Sequence, residues 1–354
     1  MPEVLLALPD YYIEVARRLH AVDWMVHNFR DADATGLYNP ANYLDNIEFE
    51  DAKYVASIDL NILQYIVNCV KKPNQNPSYQ DACAMLLFCR FANILIEPSL
   101  ALYERINHGR GDVEEALDDL AILRALDNSD PDRLAQYMLG NPLALEAVDL
   151  PVLDRVGIRD GLTRFERLSD WDSVYVLILG AVCTFLDGSV QPANKFEHYL
   201  DWMIREFRLS LACIVYAIRL FGRMPLPKMM KYSESQSSSD RRKALCNMTW
   251  DLFLVNQYLK NWADPKKTRE EVLFTQDKVV KELLRMAISV QYAEDVEPLL
   301  KYLRVSEALR CRELVDSANS RDGRVYRTSV WTPAYRDSLI LKLESDLGLS
   351  SQKA

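Results

Sequence analysis

Four carboxylates, Asp59, Glu104, Asp251 and Asp277, stand beside apolar segments rather than inside charged runs. Asp59 closes the run Tyr54–Ile58, and Asp277 follows Val272–Phe274 after Thr275 and Gln276. Glu104 lies in the helical pattern after Asn93–Glu97, and Asp251 sits among Trp250, Leu252, Phe253 and Leu254. Carboxylates drawn together raise one another's pKa, so their cluster is costly unless a divalent cation neutralises it. Mg2+ and Mn2+ suit such hard oxygen ligands and keep several waters of their own. The matching chemistry is metal-assisted hydrolysis of a phosphodiester. Each residue also has a plainer reading. Asp59 and Asp277 precede helices, where Asp is a favoured N-cap, and Glu104 and Asp251 suit solvated helix positions. Glu97 competes with Glu104 for its place, and Asp240 with Asp251.

The elements that must position these groups follow from hydrophobic periodicity. Tyr54–Ile58, Asn93–Glu97 and Val272–Phe274 are short apolar, β-branched runs that read as buried parallel strands. Helical patterns cover Tyr11–Phe29, Leu60–Val70, Tyr79–Phe91, Leu100–Ile106, Asp112–Leu126, Asp132–Leu139, Phe196–Phe221, Ala244–Trp262 and Lys278–Ile288. Met224–Ser239 is polar and Ser-rich and reads as a mobile connection. In open parallel sheets, ligands bind outside the carboxyl ends of the strands. That rule brings Asp59 and Asp277 to one edge, with Glu104 and Asp251 on helices beside it.

The ordered set resembles the PIN-domain nucleases. Asp59-Leu60-Asn61 after an apolar strand is similar to their Asp-x-Asn start, and Ile94–Ser99 followed by Glu104 to their second motif. Asn247–Asp251 and Val272–Asp277 resemble the third and fourth. The resemblance covers about 54–106 and 244–290. It implies a three-layer α/β/α sandwich with a parallel sheet and a Mg2+- or Mn2+-dependent endoribonuclease. Carried over, Asp59, Glu104, Asp251 and Asp277 are the metal-binding carboxylates, and Asn61, Asn247 and Thr275 orient them by hydrogen bonds. By the same analogy, such enzymes serve as toxins, defence effectors or in RNA processing. Size departs from the pattern: a helical insertion at 107–243 divides 54–106 from 244–295, with helical extensions at 1–53 and 296–354.

Composition narrows the partners. The chain has 354 residues, 42 basic against 51 acidic, for a net charge of −9. No global positive field draws nucleic acid, so an RNA site needs a local basic patch. Arg241, Arg242 and Lys243, and Lys266, Lys267 and Arg269, flank Asp251 in sequence and are placed beside a substrate groove. Lys228 and Lys231 form a smaller cluster. Arg304, Arg310, Arg312, Arg321, Arg324 and Arg327, interleaved with Tyr326 and Trp331, offer phosphate contacts with base-stacking groups. No Gly-x-x-x-x-Gly-Lys-Ser/Thr loop, Gly-x-Ser-x-Gly elbow or Cys-x-x-Cys pair occurs. Seven cysteines read as reduced thiols. Met1–Asp10 has no basic region of the signal-peptide kind, and Val174–Leu186 is short for a bilayer, so a cytoplasmic location is expected. DNA as substrate, a homo-oligomer, or a regulatory protein partner seated on a non-catalytic scaffold are the competing expectations.

Overall fold

The computed structural model describes residues 7–29, 36–44, 53–107, 112–146, 148–163, 168–264, 266, 268–293, 297–319 and 332–349. The described residues are mostly helical, with one small four-stranded sheet among them. The chain divides into two compact units, one of residues 1–166 with 261–278, the other of 167–260 with 279–354. The first unit therefore takes up a short excursion from within the second. This division differs from the expected boundaries at 106/107 and 243/244.

The first unit holds the sheet, whose strands are β1 (Met25–Val26), β2 (Lys53–Ile58), β3 (Leu95–Glu97) and β4 (Arg269–Phe274) in the order β1-β4-β2-β3. β2 lies between β4 and β3 and is parallel to both, with Val55 opposite Leu95 and Glu271. β1 joins the β4 edge antiparallel, Met25 opposite Phe274, so the sheet is mixed where a parallel one was expected. The helices are α1 (Tyr12–Val22), α2 (Ala41–Leu44), α3 (Leu60–Lys71), α4 (Pro77–Phe91), α5 (Ser99–Asn107), α6 (Val113–Asp127), α7 (Pro131–Met138) and α8 (Arg155–Thr163). α1 ends well before Phe29. Asp23 takes a left-handed conformation (φ 49°), tolerable for Asp, and turns the chain into β1.

Alternation along the strands gives the sheet two unlike faces. Tyr54, Ala56, Ile58, Ile96, Val272 and Phe274 enter the main core of this unit with Ile62, Leu63, Ile66 and Phe88 of α3 and α4. Ser57, Glu97 and Glu271 lie on the other face by register. Asp119, buried on α6, accepts from Lys71 (2.7 Å) and pairs with Arg105 (2.9 Å), tying α3, α5 and α6 together.

The second unit contains α9 (Ser169–Leu186), α10 (Lys195–Glu206), α11 (Leu211–Phe221), most of α12 (Ser238–Trp262), α13 (Lys278–Ala293), α14 (Val305–Asn319) and α15 (Pro333–Asp346). Among the described helices, α9 is the one long and apolar enough to cross a membrane, and 72% of it is buried. It packs against α10 and α15. The expected helix Phe196–Phe221 is two helices, interrupted where Phe207 leaves helical geometry and buries completely. α12 starts six residues before Ala244. The Ser237 hydroxyl accepts the Asp240 N–H and donates to the Asp240 carboxylate, a capping pair that pulls the end of the Ser-rich segment into the helix.

Candidate active site

Asp59 sits where β2 ends and α3 begins. A β-branched strand fixes the direction of the chain, and the extended Asp59 backbone (φ −79°, ψ 170°) lets its carboxylate cap the new helix by accepting from the Ile62 N–H at 2.8 Å. The second oxygen accepts the Thr275 hydroxyl at 2.6 Å. Thr275 stands just past β4, fully buried, and the same hydroxyl accepts the Asp277 N–H at 3.0 Å. The Thr275 N–H in turn donates to the Trp24 carbonyl at 3.0 Å, so the edge pairing of β1 steadies this loop. Three separate segments thus meet at the carboxyl end of the two central strands.

The electrostatics are unusual for a simple cap. Asp59 is 4% exposed, and burial pushes its carboxyl up to about 6. The bonds from Thr275, Ile62 N–H and Gln276 N–H oppose that shift, while the nearby Asp277 charge adds to it. Asp277 is half-buried and directly precedes α13. Glu104 is half-buried on α5, which packs against both β2 and α3. Among the described residues, no three His, Cys, Asp or Glu side chains gather closely enough to hold an ion by themselves. The donor chemistry of Asp59 and Asp277 nevertheless fits Mg2+ or Mn2+, which bind through one or two carboxylates and retain waters.

The remaining expected residues are placed as follows. Asp251 lies on α12 in the second unit, and its carboxylate takes Lys231 Nζ at 2.5 Å, which answers the need of a charge in an apolar helix for a partner. Asn61 and Asn247 are exposed on α3 and α12. Arg241 donates to the Leu347 carbonyl at 3.0 Å, Arg242 pairs with Glu344 at 3.3 Å, and exposed Lys243 pairs with Asp240 at 3.4 Å. The two arginines therefore fasten the end of α15. Lys266 and Arg269 are exposed at the amino end of β4. At about 3.3 Å per residue, that is roughly 17 Å along the strand from Phe274. The groove-side placement expected for them does not match this position. Lys267, Arg321, Arg324, Tyr326, Arg327 and Trp331 lie outside the described residues.

Sequence reasoning passed over a second polar group. On the face opposite the core, Ser57 donates to one oxygen of Glu271, and Asn261 donates to the other at 2.8 Å. Burial raises the Glu271 carboxyl, and Glu97 adds to the shift from across β2. Glu97 itself accepts the N–H and hydroxyl of Ser99, at 3.0 and 2.5 Å. Arg269-Glu270-Glu271 reads as the end of a charged loop, and only its matching parity with Ser57 and Glu97 signals the cluster. No family model matches the chain, and no curated protein or solved structure matches it.

Proposed function

We propose that this chain is a Mg2+- or Mn2+-dependent endoribonuclease on a PIN-type α/β/α core, acting through Asp59 and Asp277. The supporting observation is the treatment of Asp59. A buried carboxyl is held by a backbone N–H and a buried hydroxyl at the carboxyl edge of parallel strands, next to a second acid. A helix cap works equally well when exposed, whereas a buried carboxyl raised beside a second acid is a group that a cation would stabilise. Thr275 and the Ile62 N–H orient both oxygens of Asp59, and Thr275 also fixes the backbone of Asp277. When bound, the ion neutralises these carboxylates and stabilises negative charge on the phosphate oxygens. Asp251 has Lys231 as its partner, and the reading does not depend on it.

The test is cleavage of labelled single-stranded RNA, hairpin RNA and single-stranded DNA in Mn2+, in Mg2+ and in EDTA. Metal-dependent cutting with RNA preferred is the expected result. Preferred cutting of DNA would move the substrate class, and no cutting of any strand in either metal would refute the catalytic reading.

A further inference from the structure

In the first unit α3 and α4 pack on one another, joined by residues 72–76, and each brings a cysteine to the seam between them. Cys69 on α3 and Cys83 on α4 are wholly buried, and their Sγ atoms stand 3.7 Å apart. Cys69 Sγ also lies 3.2 Å from the Tyr65 carbonyl and 3.4 Å from the Tyr79 carbonyl. Its S–H thus has an acceptor on either helix, and its sulfur is left to accept the S–H of Cys83. Burial pushes the Cys83 thiol well above its ordinary range, so neither a nucleophile nor a surface sensor is made here. A disulfide needs its sulfurs about 2 Å apart, so closing the bond asks for less than about 2 Å of sulfur travel.

We infer that Cys69 and Cys83 are joined by a disulfide when the chain folds in an oxidising medium, a buried covalent staple between α3 and α4. The oxidant is a small-molecule disulfide, and the inference stands independently of the nuclease reading. The bond forms as the two helices come together, before burial closes the site. The thiolate of one cysteine attacks the small disulfide, which releases one thiol and leaves a mixed disulfide on the protein. The thiolate of the other cysteine then displaces the second thiol. The protein gives up two S–H protons and two electrons, and the small disulfide takes both to become two thiols. Because α3 starts directly after Asp59, the staple also fixes the helix that Asp59 caps.

The test unfolds the full chain in urea with a reductant, removes both, and refolds it in oxidised and reduced glutathione or in reductant alone. Each product is denatured in N-ethylmaleimide, weighed by mass spectrometry and digested. The glutathione product should carry five labels, the seven cysteines less the bonded pair, and the reduced product seven. The digest should join Cys69 to Cys83 and find Cys89, equally buried on α4, labelled. The bonded product should melt about 5–10 °C above the reduced one, as closing a loop of this length implies. Cys69→Ser and Cys83→Ser should each carry six labels from either medium and show no such rise. Where a serine variant does not fold, Cys69→Ala or Cys83→Ala, which buries no hydroxyl, supplies the comparison. If the unfolded chain does not refold, the native protein is held in the glutathione mixture just below its melting midpoint, where α3 and α4 open transiently, and labelled alike. Seven labels from the glutathione medium, a bond between any other cysteines, or a bonded product that melts no higher than the reduced one overturns the staple.

Discussion

The Asp59 carboxyl is the residue on which most depends, and its pKa gives a stability test. Folding raises this group from its ordinary value of 3.8 to about 6, so the folded state holds the proton more tightly than the unfolded chain. Stability from this group is therefore greatest below about pH 4, falls as pH rises toward about 6, and stays reduced above that. Asn keeps the capping oxygen without the charge. Asp59→Asn removes the cost of the buried charge, up to about 3 kcal/mol at pH 7, and loses the acceptor of the Thr275 hydroxyl, about 1 kcal/mol. It should therefore stabilise the protein at pH 7 by up to about 2 kcal/mol, with the gain shrinking toward pH 4. Urea unfolding at several pH values measures it, and a destabilised variant at pH 7 would contradict the burial argument. Saturating Mn2+ should shrink the same gain, because a cation relieves the charge the substitution removes. In the sequence, Asp59 was legible because a β-branched run stops at it and a helix starts after it. A hydrogen bond from Thr275 was expected only through the family resemblance, since residue patterns alone do not give the register of two strands far apart in the chain.

At the scale of elements, polar ties and close contacts do most of the positioning. Asp119→Ala would strip Lys71 and Arg105 of a buried partner and loosen α3 against α5 and α6, costing about 3 kcal/mol by chemical unfolding. A cost below about 0.5 kcal/mol would show those helices to be held by apolar packing alone. In the second unit, a Cβ on Gly180 would meet the Trp202 ring at 2.4 Å, so α9 approaches α10 there only because the side chain is absent. Gly180→Ala should cost about 1–3 kcal/mol and alter the near-ultraviolet tryptophan signal. An unchanged spectrum and stability would contradict that packing. The start of α3 was readable because Asp59 marks it, whereas α4 begins at Pro77 behind its Asn76 cap, two residues before the Tyr79 start that periodicity gave. The two-residue β1 was not readable, because its pairing comes from β4 rather than from its own residues.

For the whole molecule, two units share one chain so that 261–278, between α12 and the body of α13, supplies β4 and the Thr275–Asp277 loop to the first unit. A sequence reading that advances along the chain keeps neighbours together, so it assigned 244–295 to a single part. Periodicity reports which face of an element is apolar, but not which unit buries that face. The net charge of −9 gives RNA little long-range attraction, so binding should weaken steeply as salt rises only if a local set of cations is engaged. The most direct measurement is metal-dependent cleavage of single-stranded RNA by the wild type and by an Asp59→Asn, Asp277→Asn double variant shown to fold. The wild type should cut in Mn2+ or Mg2+ and not in EDTA, and the variant should lose the activity by a factor of a hundred or more, roughly. Equal cutting by the two proteins would contradict the assignment of this site.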